Sequence, residues 1–66
     1  MKKQDARIVW EQLGESIADM QEEIDEINKM EKKGERVPEI AYGMKAMYMK
    51  EIDRMMAKRK RLERMF

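Results

Sequence analysis

The sequence predicts an all-α protein: an antiparallel helical hairpin, expected to pair with a second copy into a four-helix bundle. Three observations carry that expectation. Apolar residues recur at heptad spacing through the first half of the chain. Gly34 and Pro38 then interrupt an otherwise helix-favouring composition. Finally, Ile40 to Met49 is an apolar run broken only by Gly43 and Lys45, in a chain that is 44% charged. A helix that is apolar on all sides has to be covered on more than one of them.

Helix one is expected over about residues 5–33. Its apolar residues fall at Ala6, Trp10, Leu13, Ile17, Met20, Ile24 and Ile27, spaced alternately four and three apart. That is a heptad seam, with Trp10, Ile17 and Ile24 in the a column and Ala6, Leu13, Met20 and Ile27 in the d column. Glu11, Glu15, Asp19, Glu22, Asp25 and Glu26 all land on the outward positions. Beside the seam, the e column reads Gly14, Gln21 and Asn28 after Arg7. Small and amide residues there suggest that another helix packs on that flank, as in a bundle. Gly14 costs about 1 kcal/mol against Ala in a helix interior, but the seam keeps its phase across it, so the helix is expected to be continuous.

The turn is placed at 34–37. Lys32 and Lys33 suit the negative end of the helix dipole, Gly34 suits the left-handed cap, and Pro38 suits the first position of the following helix. A connection this short makes the two helices antiparallel.

Helix two is expected over about 38–65. Its seam places Ala41, Tyr48, Met55 and Leu62 at d, and Lys45, Ile52, Arg59 and Phe66 at a. Two of the four a positions are therefore cationic. The flanks compensate with Tyr42, Met49 and Met56 in column e and Met44 and Met65 in column g, while Ile40 and Met47 widen the apolar face further. Antiparallel pairing with position numbers summing to about 70 sets Ile24 near Lys45, Ile17 near Ile52, and Trp10 near Arg59 as a cation–π pair. It also brings Lys45 and Lys50 beside the acidic segment Asp19 to Glu26.

Composition narrows the function. The 66 residues, read as one domain, include no Cys and no His, so disulfides, thiolate metal sites and the commonest general base are absent. Ser16 is the only Ser and there is no Thr; nothing beside Ser16 would activate it. No catalytic residue, metal site or cofactor is expected, and the protein is read as not an enzyme. The charged start leads into no apolar leader segment, and no run approaches the roughly 20 residues of a membrane span, so a cytoplasmic protein is expected and membrane binding is not favoured. Residues 1–30 carry eight acids and four bases, a net −4; residues 31–66 carry eleven bases and six acids, a net +5.

Three surfaces stand out. An adaptable Met/Tyr surface, comprising Ile40, Tyr42, Met44, Met47 and Met49, fits a protein partner because thioether side chains are flexible and polarizable. An acidic ridge of Glu15, Asp19, Glu22 and Glu26 fits a basic partner. A basic cluster of Lys58, Arg59, Lys60, Arg61 and Arg64 fits phosphates, although no known nucleic-acid-binding motif accompanies it. The layout resembles small dimeric helical-hairpin regulators, a likeness of architecture that says little of function. The expected function is a small non-enzymatic interaction module, a regulator or inhibitor that docks on a larger, unidentified protein and also pairs with itself. A nucleic-acid-binding hairpin dimer and a structural scaffold oligomer are the alternatives.

Overall fold

A computed structural model describes residues 2–66. Two α-helices account for nearly all of them: α1 spans Lys3–Lys32 and α2 spans Glu39–Glu63. They pack antiparallel as a hairpin 48 Å long and 15 by 13 Å across, measured on Cα atoms. Thirty residues at 1.5 Å each give a rod of that length. The radius of gyration is 15.0 Å, against about 11 Å for a compact chain of this size. Neither helix is long and apolar enough to cross a membrane.

α1 runs unbroken through Gly14. It begins two residues earlier than its first periodic residues suggest, with the Ala6 amide donating to the Lys2 carbonyl at 3.0 Å. No side chain caps this end, so its limit is set by the backbone ladder and by Asp5 in the first turn, on the favourable end of the dipole. At the other end, Lys29 and Lys32 lie in the last turn. Gly34 takes φ +75°. Its amide donates to Glu31 O at 3.1 Å, and the Glu35 amide to Met30 O at 3.0 Å. These two bonds complete a Schellman motif, which satisfies carbonyls that the helix end would otherwise leave open.

The turn is wider than the sequence reading, covering 33–38 instead of 34–37. Pro38 does not open α2. With φ −58° and ψ 144° it is the residue before the helix, and its carbonyl accepts the Ala41 amide at 2.9 Å. The proline φ suits either place; the extended ψ decides it. At the far end α2 stops at Glu63, two residues short of the expected limit, with Arg64 as cap.

One seam joins the helices. Ala6, Ile24 and Ile27 of α1 and Ile52 and Leu62 of α2 are buried. The remaining α1 seam residues Trp10, Leu13, Ile17 and Met20, with Ala41, Tyr48 and Met55 of α2, are half-buried. Every expected a and d residue of α1 therefore turns inward, and so does every one of α2 except Phe66, which stays exposed at the chain end.

The register is offset from the expected one. Lys45 bonds Asn28 and Trp10 bonds Glu63, each pair summing to 73, whereas Arg59 keeps its expected place beside Trp10. Ile52 shares a depression with Gln21 and Ile24. The tilt of helical side chains toward their own N-terminus contributes to the offset.

Gly34→Ala tests the turn. Nothing lies within 4 Å of a Cβ built there, so the cost is purely that of holding Ala at positive φ. Urea denaturation is expected to show a loss of about 1 kcal/mol, with helicity of the folded state unchanged.

Candidate interaction surfaces

The two cationic seam positions of α2 are the first thing the geometry has to resolve, since a charge buried without a partner is costly. Each reaches out of the seam to the e column of α1. Lys45 Nζ donates to Asn28 Oδ1 at 2.6 Å and lies 3.7 Å from Glu31 Oε1. The Arg59 guanidinium carbon lies 3.9 Å from the centroid of the Trp10 ring, and its Nε donates to the Trp10 carbonyl at 3.1 Å. The expected cation–π pair is present. The expected pairing of Lys45 with the Asp19–Glu26 segment is not, because the register shift carries Lys45 one turn further along α1, to Asn28 and Glu31.

Trp10 gathers the open end of the hairpin around itself. Its indole N–H donates to Glu63 Oε1 at 3.1 Å, and its ring meets Phe66 edge-on, 5.9 Å between centroids and 82° between planes. Gly14 makes this possible. In a helix the side chain four residues on flanks a given carbonyl, and at Gly14 there is none to shield Trp10 O. A Cβ there would stand 2.9 Å from Arg59 Nη2 and 3.2 Å from Cζ. Two members of the neutral e column, Gly14 and Asn28, thus have partners within the chain itself. Only Gln21 is left without one by this account.

The apolar residues of α2 outside the seam form two stripes. Ile40, Met44 and Met47 follow one another at four and three residues. Tyr42, Met49 and Met56 follow at seven and seven. At about 100° per residue these lie on roughly opposite flanks of the helix, with the buried seam between them. Ile40 is 75% exposed, Met47 60% and Met49 53%; Tyr42, Met44 and Met56 are exposed as well. The five residues of the expected Met/Tyr surface are therefore all accessible, but they do not form one patch. Met44 belongs with Ile40 and Met47. Met56, outside the expected surface, belongs with Tyr42 and Met49. The second stripe borders the α1 e column, since Met49, Gln21, Ile24, Ile52 and Asp53 together line a shallow depression of about 200 Å³.

Glu15, Asp19, Glu22 and Glu26 are all exposed along the outer face of α1, where the heptad places them. Among the described residues, no three carboxylates converge as a metal site requires. Of the basic cluster, Lys58, Lys60, Arg61 and Arg64 are exposed, while Arg59 is turned inward onto Trp10. An open groove of about 410 Å³ runs along Met56, Ala57, Arg59, Lys60 and Glu63. Sequence reasoning passed over Ile8, which is half-exposed on the outer face of α1. Its only signal was an apolar residue out of phase with the seam.

Gly14→Ala distinguishes the role given to Arg59 from simple helix strain. Alone, the gain of about 1 kcal/mol in helix propensity is expected to be cancelled by displacement of the guanidinium, a contact worth about 1 kcal/mol. In an Arg59→Ala background the same substitution is expected to stabilise by about 1 kcal/mol, so the cycle measured by urea denaturation is non-additive. Additive effects would dissociate Gly14 from Arg59. Set against known proteins, the chain matches no family model, no curated protein and no solved structure.

Proposed function

We propose that this chain is a small non-enzymatic interaction module, a regulator or inhibitor that docks on a larger protein through the apolar surface of α2. The supporting observation is the stripe Ile40–Met44–Met47, whose first and last members are among the most exposed large apolar side chains of the hairpin. Burying an Ile or Met side chain stabilises an interface by about 1.5–3 kcal/mol, and Met adapts to an irregular partner surface. Ile40 and Met47 lie outside the buried seam, so covering them leaves the hairpin itself undisturbed. The exposed ridge Glu15–Asp19–Glu22–Glu26 adds long-range attraction for a basic partner, an effect felt mainly in association rate.

A nucleic-acid-binding hairpin is the second reading, favoured by four exposed cations within two turns near the end of α2. The engagement of Arg59 by Trp10 removes one charge from that cluster. Contacts of this kind would make duplex binding fall steeply with salt, whereas apolar docking is salt-tolerant.

Met47→Glu tests the first reading. The variant is expected to keep its helical content by circular dichroism and to lose the protein that the unaltered chain retains in a pull-down read by mass spectrometry. Reversal of charge by Glu22→Lys with Glu26→Lys is expected to slow capture of the same protein. Unfolding by Met47→Glu would place the stripe in a core and defeat the proposal, as would salt-sensitive retention of nucleic acid alone.

A further inference from the structure

Charge is divided between the two outer faces of the hairpin. Between Arg7 and Lys29 the chain carries seven acids and no base. From Arg54 to Arg64 it carries six bases and one acid, Glu63, which accepts from Trp10. Glu15, Asp19, Glu22 and Glu26 form the exposed ridge of α1. Lys50, Arg54, Lys58 and Arg61 form its counterpart on α2. They are exposed, and spacings of four, four and three residues keep them on the side turned away from the seam. Each ridge extends over about 16 Å of helix. Both lie between the same two cross-links, Trp10 to Glu63 and Asn28 to Lys45, so they stand back to back at one level of the rod. Among the described residues, only Arg54 of these eight has an ion-pair partner, Glu51 at 3.4 Å.

Neither helix gains from this arrangement. Like charges four residues apart, such as Glu15 with Asp19, Glu22 with Glu26, and Lys50 with Arg54, weaken an α-helix. Nor does the hairpin gain. The ridges face away from each other across its full width, 15 Å on Cα atoms, nearly twice the Debye length of about 8 Å at physiological salt.

We infer that the two ridges are the halves of one self-association surface, the acidic face of one copy seating on the basic face of the next. Any foreign partner of one sign neutralises one ridge; a second copy carries both signs, at equal length and level. Copies therefore stack side by side with no shift along the rod. In that stack Ile8 and Met65, both exposed and each two residues beyond the Trp10–Glu63 cross-link, also come together. Asp53, exposed beside the basic ridge, opposes the contact, whereas a net charge of only +1 leaves the copies little general repulsion. The contact is heterologous and leaves a free ridge at each end, so it does not stop at two copies. A second copy is thereby named as the basic partner of the α1 ridge; this rests on the reading of that ridge and not on the Ile40–Met44–Met47 stripe.

Sedimentation velocity of the purified chain is expected to show species above twice the chain mass at low ionic strength, growing with concentration. At high ionic strength the chain mass alone is expected. A carbodiimide, which joins a carboxylate to an amine in direct contact, is expected to link Glu15 to Lys58 and Glu22 to Lys50. Mixing isotopically labelled with unlabelled chain shows by mass spectrometry that these links run between copies. Glu15→Lys with Glu22→Lys is expected to stay at the chain mass. Adding Lys50→Glu with Lys58→Glu is expected to restore association, because each altered residue meets its opposite again. All four replace exposed side chains, and circular dichroism verifies that each variant folds. A chain-mass species at every concentration in low salt overturns the inference, as does one that changes mass only when duplex DNA is added. So does association that high salt leaves intact, linkage that avoids these pairs, or failure of the second pair of substitutions to restore what the first removed. Capture of a foreign protein is read with Met47→Glu, whose self-association is expected to be unchanged, so the two readings stand or fall separately.

Discussion

Two helices packed side by side can bury only one strip of each, and this constraint shapes the whole hairpin. No second layer exists to cover whatever the seam leaves out. The buried set is accordingly short, Ala6, Ile24, Ile27, Ile52 and Leu62, and the larger seam residues are only half covered. In so thin a core an unsatisfied charge would be disproportionately costly. Yet α2 places Lys45 and Arg59 in seam positions. The long stems of both allow their heads to leave the seam, provided α1 offers something to receive them. Asn28 supplies an oxygen to Lys45. Gly14 supplies, by the absence of a side chain, access to the Trp10 carbonyl and the ring face above it.

That exchange explains features that helix propensity alone does not. Gly in the interior of a long helix is unfavourable, but here the missing Cβ admits a guanidinium that makes a cation–π contact and a hydrogen bond at once. Trp10, the only Trp, would otherwise expose a polar N–H and a wide ring at the open end of the rod. Instead Glu63 accepts from the N–H and Phe66 meets the ring edge. The open end is thereby tied by side chains from both helices, while the closed end is held by the backbone bonds around Gly34.

Much of this could be read from the sequence because its strongest signals are periodic. The heptad of α1 located every fully buried residue of that helix, and Gly34 located the turn, since few features other than a left-handed cap explain a Gly after two lysines. The Trp10–Arg59 contact followed from antiparallel pairing and stands at the expected register. Lys45 was less forgiving: its partner changed from the Asp19–Glu26 segment to Asn28 and Glu31. The e column was read correctly as unusual, but its Gly14 and Asn28 serve the chain's own cations. A column of residue types does not distinguish a neighbouring helix from a neighbouring side chain. The apolar run of α2 was legible as an excess and not as two stripes, because a run apolar on most sides has no phase by which to divide it.

The two helices differ in how much apolar surface they leave uncovered. α1 has one apolar strip, turned to α2, and mostly polar residues over what remains, Ile8 being the exposed exception. α2 has the same strip and, in addition, large apolar side chains on both flanks, interrupted outward by Gly43 and Lys50. Water is a poor environment for those flanks, and α1 is too narrow to reach either. A chain whose only purpose was to close this hairpin would be stabilised equally by polar residues at Ile40, Met47, Met49 and Met56, which the seam does not use. They lie on opposite flanks of the strip that faces α1, so α2 carries most of the exposed apolar surface of the hairpin.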